Sequence, residues 1–225
     1  RALVVSASSG SEGYAERARL DAPARIGRLA VPLAPGSVEG RFDTASELLI
    51  DLPFGGFESL SRQAVLDGGN VIAVETTAGW EVLQFETAEE IAAGRWRLGS
   101  LLRGQAGTDD AMRAGAVAEA RTLMLGRALG PLGIAPEEAG LSRNFIVELA
   151  GRSAGAVSGP VAFAGGLRAR TPFSPVHLKA ARIAGDVRFS WLRRSRMPEA
   201  DSWSAVEIPL SEASERYRIT LLDGG

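Results

Sequence analysis

Cysteine is missing from this 225-residue chain. Its absence excludes disulfide staples, thiol nucleophiles, Cys-ligated zinc and iron–sulfur clusters, and leaves the redox compartment open. Histidine is reduced to one residue, His177, which excludes a multi-histidine metal site. Neither sign of charge is in large excess. The formal net charge is −2, so no global field draws the chain to nucleic acid or to an anionic membrane. No apolar run approaches the roughly 20 residues that cross a bilayer as a helix, and no membrane span is expected. Lysine is nearly lacking: Lys179 stands alone among arginines, a bias that points to GC-rich coding more than to function. What is present, 45% hydrophobic and 23% charged residues, is an ordinary globular composition and excludes disorder along the whole length. The length suits one large domain or two modest ones.

Hydrophobic periodicity predicts a mainly β chain with one or two short helices. Residues 2–7 read as a strand and 8–13 as a loop. Residues 26–33 alternate loosely, with Pro32 and Pro35 as stops, and 46–52 form a strand ended by Pro53 and the Gly55-Gly56 pair. Residues 71–76 are β-branched and follow a turn at Asp67-Gly68-Gly69. The clearest hairpin joins 80–85 to 95–102, where Trp96, Leu98 and Leu102 recur on one side at period two. Between its arms, 87–93 reads as a helical turn or two, with Thr87 as N-cap and Glu90 three residues on. Thr108 is placed to cap a short Ala-rich helix within 109–120, whose first turn is acidic. Residues 123–125 and 145–149 are further strands.

Composition changes at 151–166, where small residues and glycine dominate, so 1–150 reads as one β-rich domain and 151–171 as a Gly-rich linker. Beyond the linker only strands are expected, at 175–181, 186–193, 206–210 and 217–222. Val187, Phe189 and Trp191 share one face at period two and are expected to point inward. Short strands with a Trp in the second suggest an immunoglobulin-like or fibronectin type III sandwich. Such a domain needs about 100 residues, so 172–225 is expected to be a partial one. The Arg1 start and the Asp223-Gly224-Gly225 turn at the other end agree with a piece of a longer protein.

Several constellations invite a chemical reading. Gly151-Arg152-Ser153-Ala154-Gly155 matches the G-x-S-x-G nucleophile elbow, but a Gly/Pro loop follows where a helix is required, and 154–176 lacks an acid. Arg103-Gly104-Gln105-Ala106-Gly107-Thr108 sits between a strand and a helix, as phosphate loops do. It lacks the lysine and the glycine spacing of such loops, so a structural turn is expected, with Gly104 or Gly107 at positive φ. The acid pairs Glu89/Glu90, Asp109/Asp110 and Glu137/Glu138 are adjacent in sequence. They suit helix starts better than the facing carboxylates of a glycosidase. Arg193-Arg194-Ser195-Arg196 follows Trp191. Arg193 stacking on Trp191, with Arg194 and Arg196 pairing to Glu207, Glu212 or Glu215, is favoured over binding of nucleic acid or sugar. His177 is expected half-buried in a strand. No catalytic, cofactor-binding or metal-ligating residue is assigned, and no cofactor is expected.

Two blocks carry a family resemblance. The first is Trp80-Glu81-Val82-Leu83-Gln84-Phe85, Gly94-Arg95-Trp96-Arg97-Leu98 and Leu101-Leu102 running into the Arg103–Thr108 loop. The second is Pro172-Phe173-Ser174-Pro175-Val176-His177-Leu178, then Phe189-Ser190-Trp191-Leu192-Arg193-Arg194-Ser195-Arg196, Trp203, Glu207-Ile208-Pro209-Leu210-Ser211-Glu212 and Glu215-Arg216-Tyr217. Together they resemble the C-terminal part of the megatron family, the large baseplate or host-specificity tail proteins of gene transfer agents and related tailed phages of alphaproteobacteria. The resemblance implies that 1–150 is a tail-hub-like β domain. It implies a structural, non-enzymatic role in a virion-like particle: closing the tail tip at the baseplate and supporting host attachment and DNA delivery. The implied partners are hub, distal tail and tail-tube proteins, further copies in a homo-oligomer, expected as a trimer, and a host cell-surface glycan or receptor. A glycoside-hydrolase-like domain lies elsewhere in the full-length family proteins. The competing reading is a carbohydrate-binding accessory module of a cell-wall glycosidase, which would expose Trp80, Trp96 or Trp203 as a coplanar row.

Overall fold

The computed structural model describes residues 2–37, 40–151, 157–197 and 208–220. Runs of β-branched and aliphatic residues form its strands, and turns rich in glycine and aspartate separate them. In chain order the elements are β1 (Leu3–Ser8), β2 (Ala15–Leu20), β3 (Ile26–Leu29), β4 (Phe42–Asp43), β5 (Leu48–Asp51), α1 (Arg62–Leu66), β6 (Val71–Thr76), β7 (Gly79–Ala92), β8 (Arg95–Gln105), α2 (Asp109–Ala114), β9 (Arg121–Met124), β10 (Arg143–Leu149), β11 (Ser158–Phe163), β12 (Val176–Ile183) and β13 (Asp186–Leu192). The described residues are thus mainly β, with two short α-helices. The chain divides into two compact units, Arg1–Ala169 and Arg170–Gly225.

In the first unit six strands close on themselves. β8 pairs with β5, β5 with β3, β3 with β9, β9 with β6 and β6 with β7, and β7 returns to β8, all antiparallel. β4 adds to β8 past the end of β5. Closure leaves the ring without a free edge. Alternate residues fill its interior: Leu48 and Ile50 of β5, Ile72 and Val74 of β6, Leu83 and Phe85 of β7, and Leu98 of β8. Phe57 meets Phe85 edge-on at 5.6 Å and Trp96 edge-on at 5.7 Å. The β7–β8 hairpin turns through Ala93-Gly94, where Gly94 has φ +70 and a Cβ would lie 3.0 Å from the Leu52 carbonyl oxygen.

The same unit holds a second antiparallel sheet, ordered β11-β10-β1-β2. Its strands come from both sides of the ring in sequence, with Leu3 of β1 opposite Leu149 of β10. The ring is therefore inserted between β2 and β10. Ser158–Phe163, inside the stretch expected as linker, forms the outer strand of this sheet.

Other local expectations change as well. Residues 87–93 are not helical, because β7 runs unbroken to Ala92 and pairs through Thr87–Gly99, Glu89–Arg97 and Glu90–Trp96. The long partner strand overrides the helix preference of Ala and Glu. In the second unit β12 and β13 form a hairpin around Ala184 (φ +52) and Gly185 (φ +96), the backbone of a tight two-residue turn. Val187, Phe189 and Trp191 do share a face. Only Phe189 and Trp191 are half-buried, while Val187 is 51% exposed. Trp191 packs on Tyr217 with ring centroids 4.8 Å apart. Residues 208–210 and 217–220 carry no strand, and the remaining parts of those two expected strands lie outside the described residues.

Candidate functional site

The loop that most resembled a ligand cradle turns its chemistry inward. Arg103, at the end of β8, is 1% exposed, and Glu81 of β7 is fully buried. The guanidinium grips the carboxylate with both forks, Nε to Oε1 at 2.7 Å and Nη2 to Oε2 at 2.8 Å. Nη1 donates to the Ala34 carbonyl at 3.2 Å, and the Gly104 amide donates to Glu81 Oε1 at 3.3 Å. Gly104 (φ +64) and Gly107 (φ +76) both hold left-handed backbone, where one of the two was expected to. Thr108 does not cap α2. Its hydroxyl donates to the Gln105 carbonyl at 2.7 Å and accepts from the Val82 amide at 3.0 Å, which fastens the loop to β7. The one signal in the sequence near this pair was that Glu81 falls at period two with Leu83 and Phe85; in the structure it sits in register with the core residue Val74.

In each acid pair one member is taken by an arginine. Glu89 bonds Arg97 at 3.1 Å, and Glu90 accepts from the Gly94 amide at 2.9 Å. Asp110 holds Arg168 at 2.6 Å, while its neighbour Asp109 is buried. Glu138 accepts from Arg17 at 2.5 and 3.1 Å, from the Ala135 amide at 3.1 Å and from Arg143 at 3.3 Å. These bonds, Arg17's first, pull the Glu138 carboxyl down to about 2. The same kind of bond holds Asp51 (to Arg95), Glu75 (to Arg121) and Asp110 (to Arg168) below the ordinary carboxylate range. Among the described residues, no three His, Cys, Asp or Glu side chains gather as a metal site.

The remaining candidates are scattered. Residues 152–155 of the elbow-like motif lie outside the described residues, as does Trp203. Arg193 does not stack on Trp191, since Glu215 takes its Nη1 at 2.9 Å and the Ile208 carbonyl accepts from its Nη2. Arg194 and Arg196 lie over the ring of Phe173, at 4.7 and 4.1 Å from its centroid. His177 is exposed and left-handed (φ +55), because β12 bulges between Val176 and Lys179. Trp80 is 37% exposed with the Arg121 guanidinium 5.5 Å from its ring, whereas Trp96 packs edge-on against Phe57 in the core. These two tryptophans do not form an exposed coplanar row.

A cleft opens on the outside of the ring beside β3. It has a volume of about 690 Å³ and is walled by Ile26, Leu52, Phe54 and the Gly94 turn, with Arg28, Asp51, Glu119 and Arg121 bringing charge to it. Gly27 of β3 also lines it, and a Cβ there would meet Ile50 Cγ2 in the core at 2.7 Å and the Asp51 carbonyl at 2.8 Å.

The ring begins with β3 at Ile26 and ends with β9 at Met124. Residues 24–123 match the protein family described as Rcc01698-like, C-terminal. The Rcc01698-like segment therefore coincides with the closed ring, and it contains the Glu81–Arg103 pair and the residues that wall the cleft. The first resemblance block, 80–108, falls inside it and the second, 172–217, outside. No curated protein matches the chain. No helix among the described residues is long and apolar enough to cross a membrane.

Proposed function

We propose that this chain is a structural component of a phage-like tail baseplate of the gene transfer agent type, and that it helps to close the tail tip and to support host attachment and DNA delivery. The observation that carries this reading is the coincidence of the Rcc01698-like match with one complete, self-closed ring of strands. What is shared with that family is a whole folding module rather than an isolated motif. The sequence blocks that resemble megatron tail proteins supply the setting. The ionic side chains of the module fit it: Arg95 with Asp51, Arg121 with Glu75 and Arg103 with Glu81 each join two strands of the ring, and Arg62 with Glu86 ties α1 to β7. Such a module works by shape and contact, not by chemistry of its own. Its partners on this reading are hub, distal tail and tail-tube proteins, neighbouring copies in a trimer, and a glycan or receptor on the host surface.

Electron microscopy of particles from the producing cell tests the proposal. A tag on this protein is expected to label the distal tip of the tail. Deleting residues 24–123 is expected to give particles that no longer deliver DNA. Particles without label, or a deletion strain that delivers DNA normally, would overturn it.

A further inference from the structure

We infer that the cleft beside β3 is a docking site for a segment of a partner polypeptide that presents an apolar side chain flanked by one acidic and one basic group. The apolar wall is set by Ile26, 50% exposed, and Phe54, 48% exposed. They face a concavity of about 690 Å³, within the range that holds a ligand of several residues' bulk. The charges around it divide into spent and unspent. Asp51 is taken by Arg95 through two bonds of 2.6 and 2.8 Å, and Arg121 by Glu75 through bonds of 2.9 and 2.7 Å. Arg28 donates to the Glu119 carbonyl oxygen at 2.9 Å. Among the described residues neither the Arg28 guanidinium nor the Glu119 carboxylate forms a salt bridge, and Arg28 acts on an acid only at longer range, helping to hold Glu75 below the ordinary carboxylate range.

Two features of the backbone place the charges of the cleft. Arg28 and Arg121 stand directly opposite each other in the β3–β9 register, and Glu75, which bonds Arg121 and is also held down by Arg28, offsets their mutual repulsion. Glu119 sits in the left-handed region at φ +64, as the third residue of the turn that the Ala120 amide closes onto the Val117 carbonyl at 3.3 Å, and this turn presents its side chain at the cleft.

The choice of occupant follows from charge complementarity. One cation and one anion that form no salt bridge stand beside an apolar wall. A phosphate backbone or an anionic lipid satisfies Arg28 and is repelled by Glu119; a polypeptide carrying both signs satisfies each. The inference rests on the assembly reading for a polypeptide as the occupant.

The test is a titration of the isotopically labelled full chain, read by NMR at the Ile26 methyl and the Phe54 ring. The probes are acetyl-Asp-Leu-Lys-amide and acetyl-Lys-Leu-Asp-amide, with acetyl-Asn-Leu-Gln-amide as the neutral control and decanoate as the lipid-like one. One of the charged peptides is expected to shift both residues saturably, with each control at least tenfold weaker. Arg28→Gln and, independently, Glu119→Gln are expected to weaken that peptide about tenfold while leaving the spectrum of the ring unchanged elsewhere. No saturable shift with either charged peptide, equal binding by a control, or full affinity in both variants would overturn the docking site. Tip labelling of particles decides the assembly reading separately, so either proposal can fail alone.

Discussion

Glu81 and Arg103 are the residues whose position is hardest to maintain. Each leaves water on folding, and their mutual attraction offsets the desolvation only because both forks of the guanidinium are engaged. Glu81→Gln leaves Arg103 buried without its counter-charge and is expected to cost about 3–5 kcal/mol in urea unfolding. Replacing both, Glu81→Leu with Arg103→Met, is expected to recover most of that loss. A double variant as unstable as the single one would mean the pair positions the loop as well as neutralising charge. Glu138 gives a second prediction. Its folded pKa of about 2 lies below the ordinary 4.5, so its contribution is complete above pH 4.5 and is lost as pH falls toward 2. Asp51, Glu75 and Asp110 act in the same direction. Stability measured against pH is expected to fall across that window, and Glu138→Gln to flatten part of the slope. The arginine bias of the sequence thus acquires a structural use, because each of these pairs employs a fork that lysine lacks.

Elements here are decided by their partners. β7 carries Thr-Ala-Glu-Glu-Ile-Ala, a helix-compatible run, in an extended conformation because β8 offers it eleven residues of ladder. β3 is only four residues long yet pairs on both sides, and a Cβ at its Gly27 would lie 2.7–2.9 Å from Ile50 Cγ2, the Asp51 carbonyl and Thr122 Oγ1. Gly27→Ala is expected to push β5 and β9 apart and to destabilise the ring by about 1–3 kcal/mol, read as a lower denaturation midpoint. A neutral outcome would show that the ring can widen at β3. In the second unit the β12–β13 hairpin relies on Trp191 packed against Tyr217, since a two-stranded hairpin is marginal in water. Trp191→Ala is expected to remove about 2 kcal/mol from that unit and to raise its hydrogen exchange while the ring amides keep their protection.

At the scale of the molecule the insertion of the ring between β2 and β10 sets an order. Every ring strand lies within 26–124, whereas β1 must find β10 across the whole inserted module, with Leu3 opposite Leu149. Loop closure favours the ring first. Hydrogen exchange of the intact chain is therefore expected to show the slowest amides in β6, β7 and β8, intermediate ones in β1 and β10, and the fastest in 170–220. Equal protection of ring and four-stranded sheet would show that the two fold as one cooperative unit.

The sequence by itself determined the class of the fold and many of its pieces. The β-branched run at 71–76, period-two alternation at 95–102, the Asp67-Gly68-Gly69 turn and the proline stops after β3 are local properties, and local properties are legible without a partner. A left-handed glycine at 104 or 107 was legible for the same reason. Tertiary structure alone decided that six strands close into a ring, that 87–92 is extended and that 158–163 joins a sheet with the first residues of the chain. It also decided the fate of the charged side chains. Whether Glu81 is a solvated acid or half of a buried pair depends on Arg103 arriving 22 residues later from the next strand. Closure likewise sets Arg28 beside Glu119, 91 residues away. Pairings at such separations are fixed by the register of the closed ring, which no window of sequence contains.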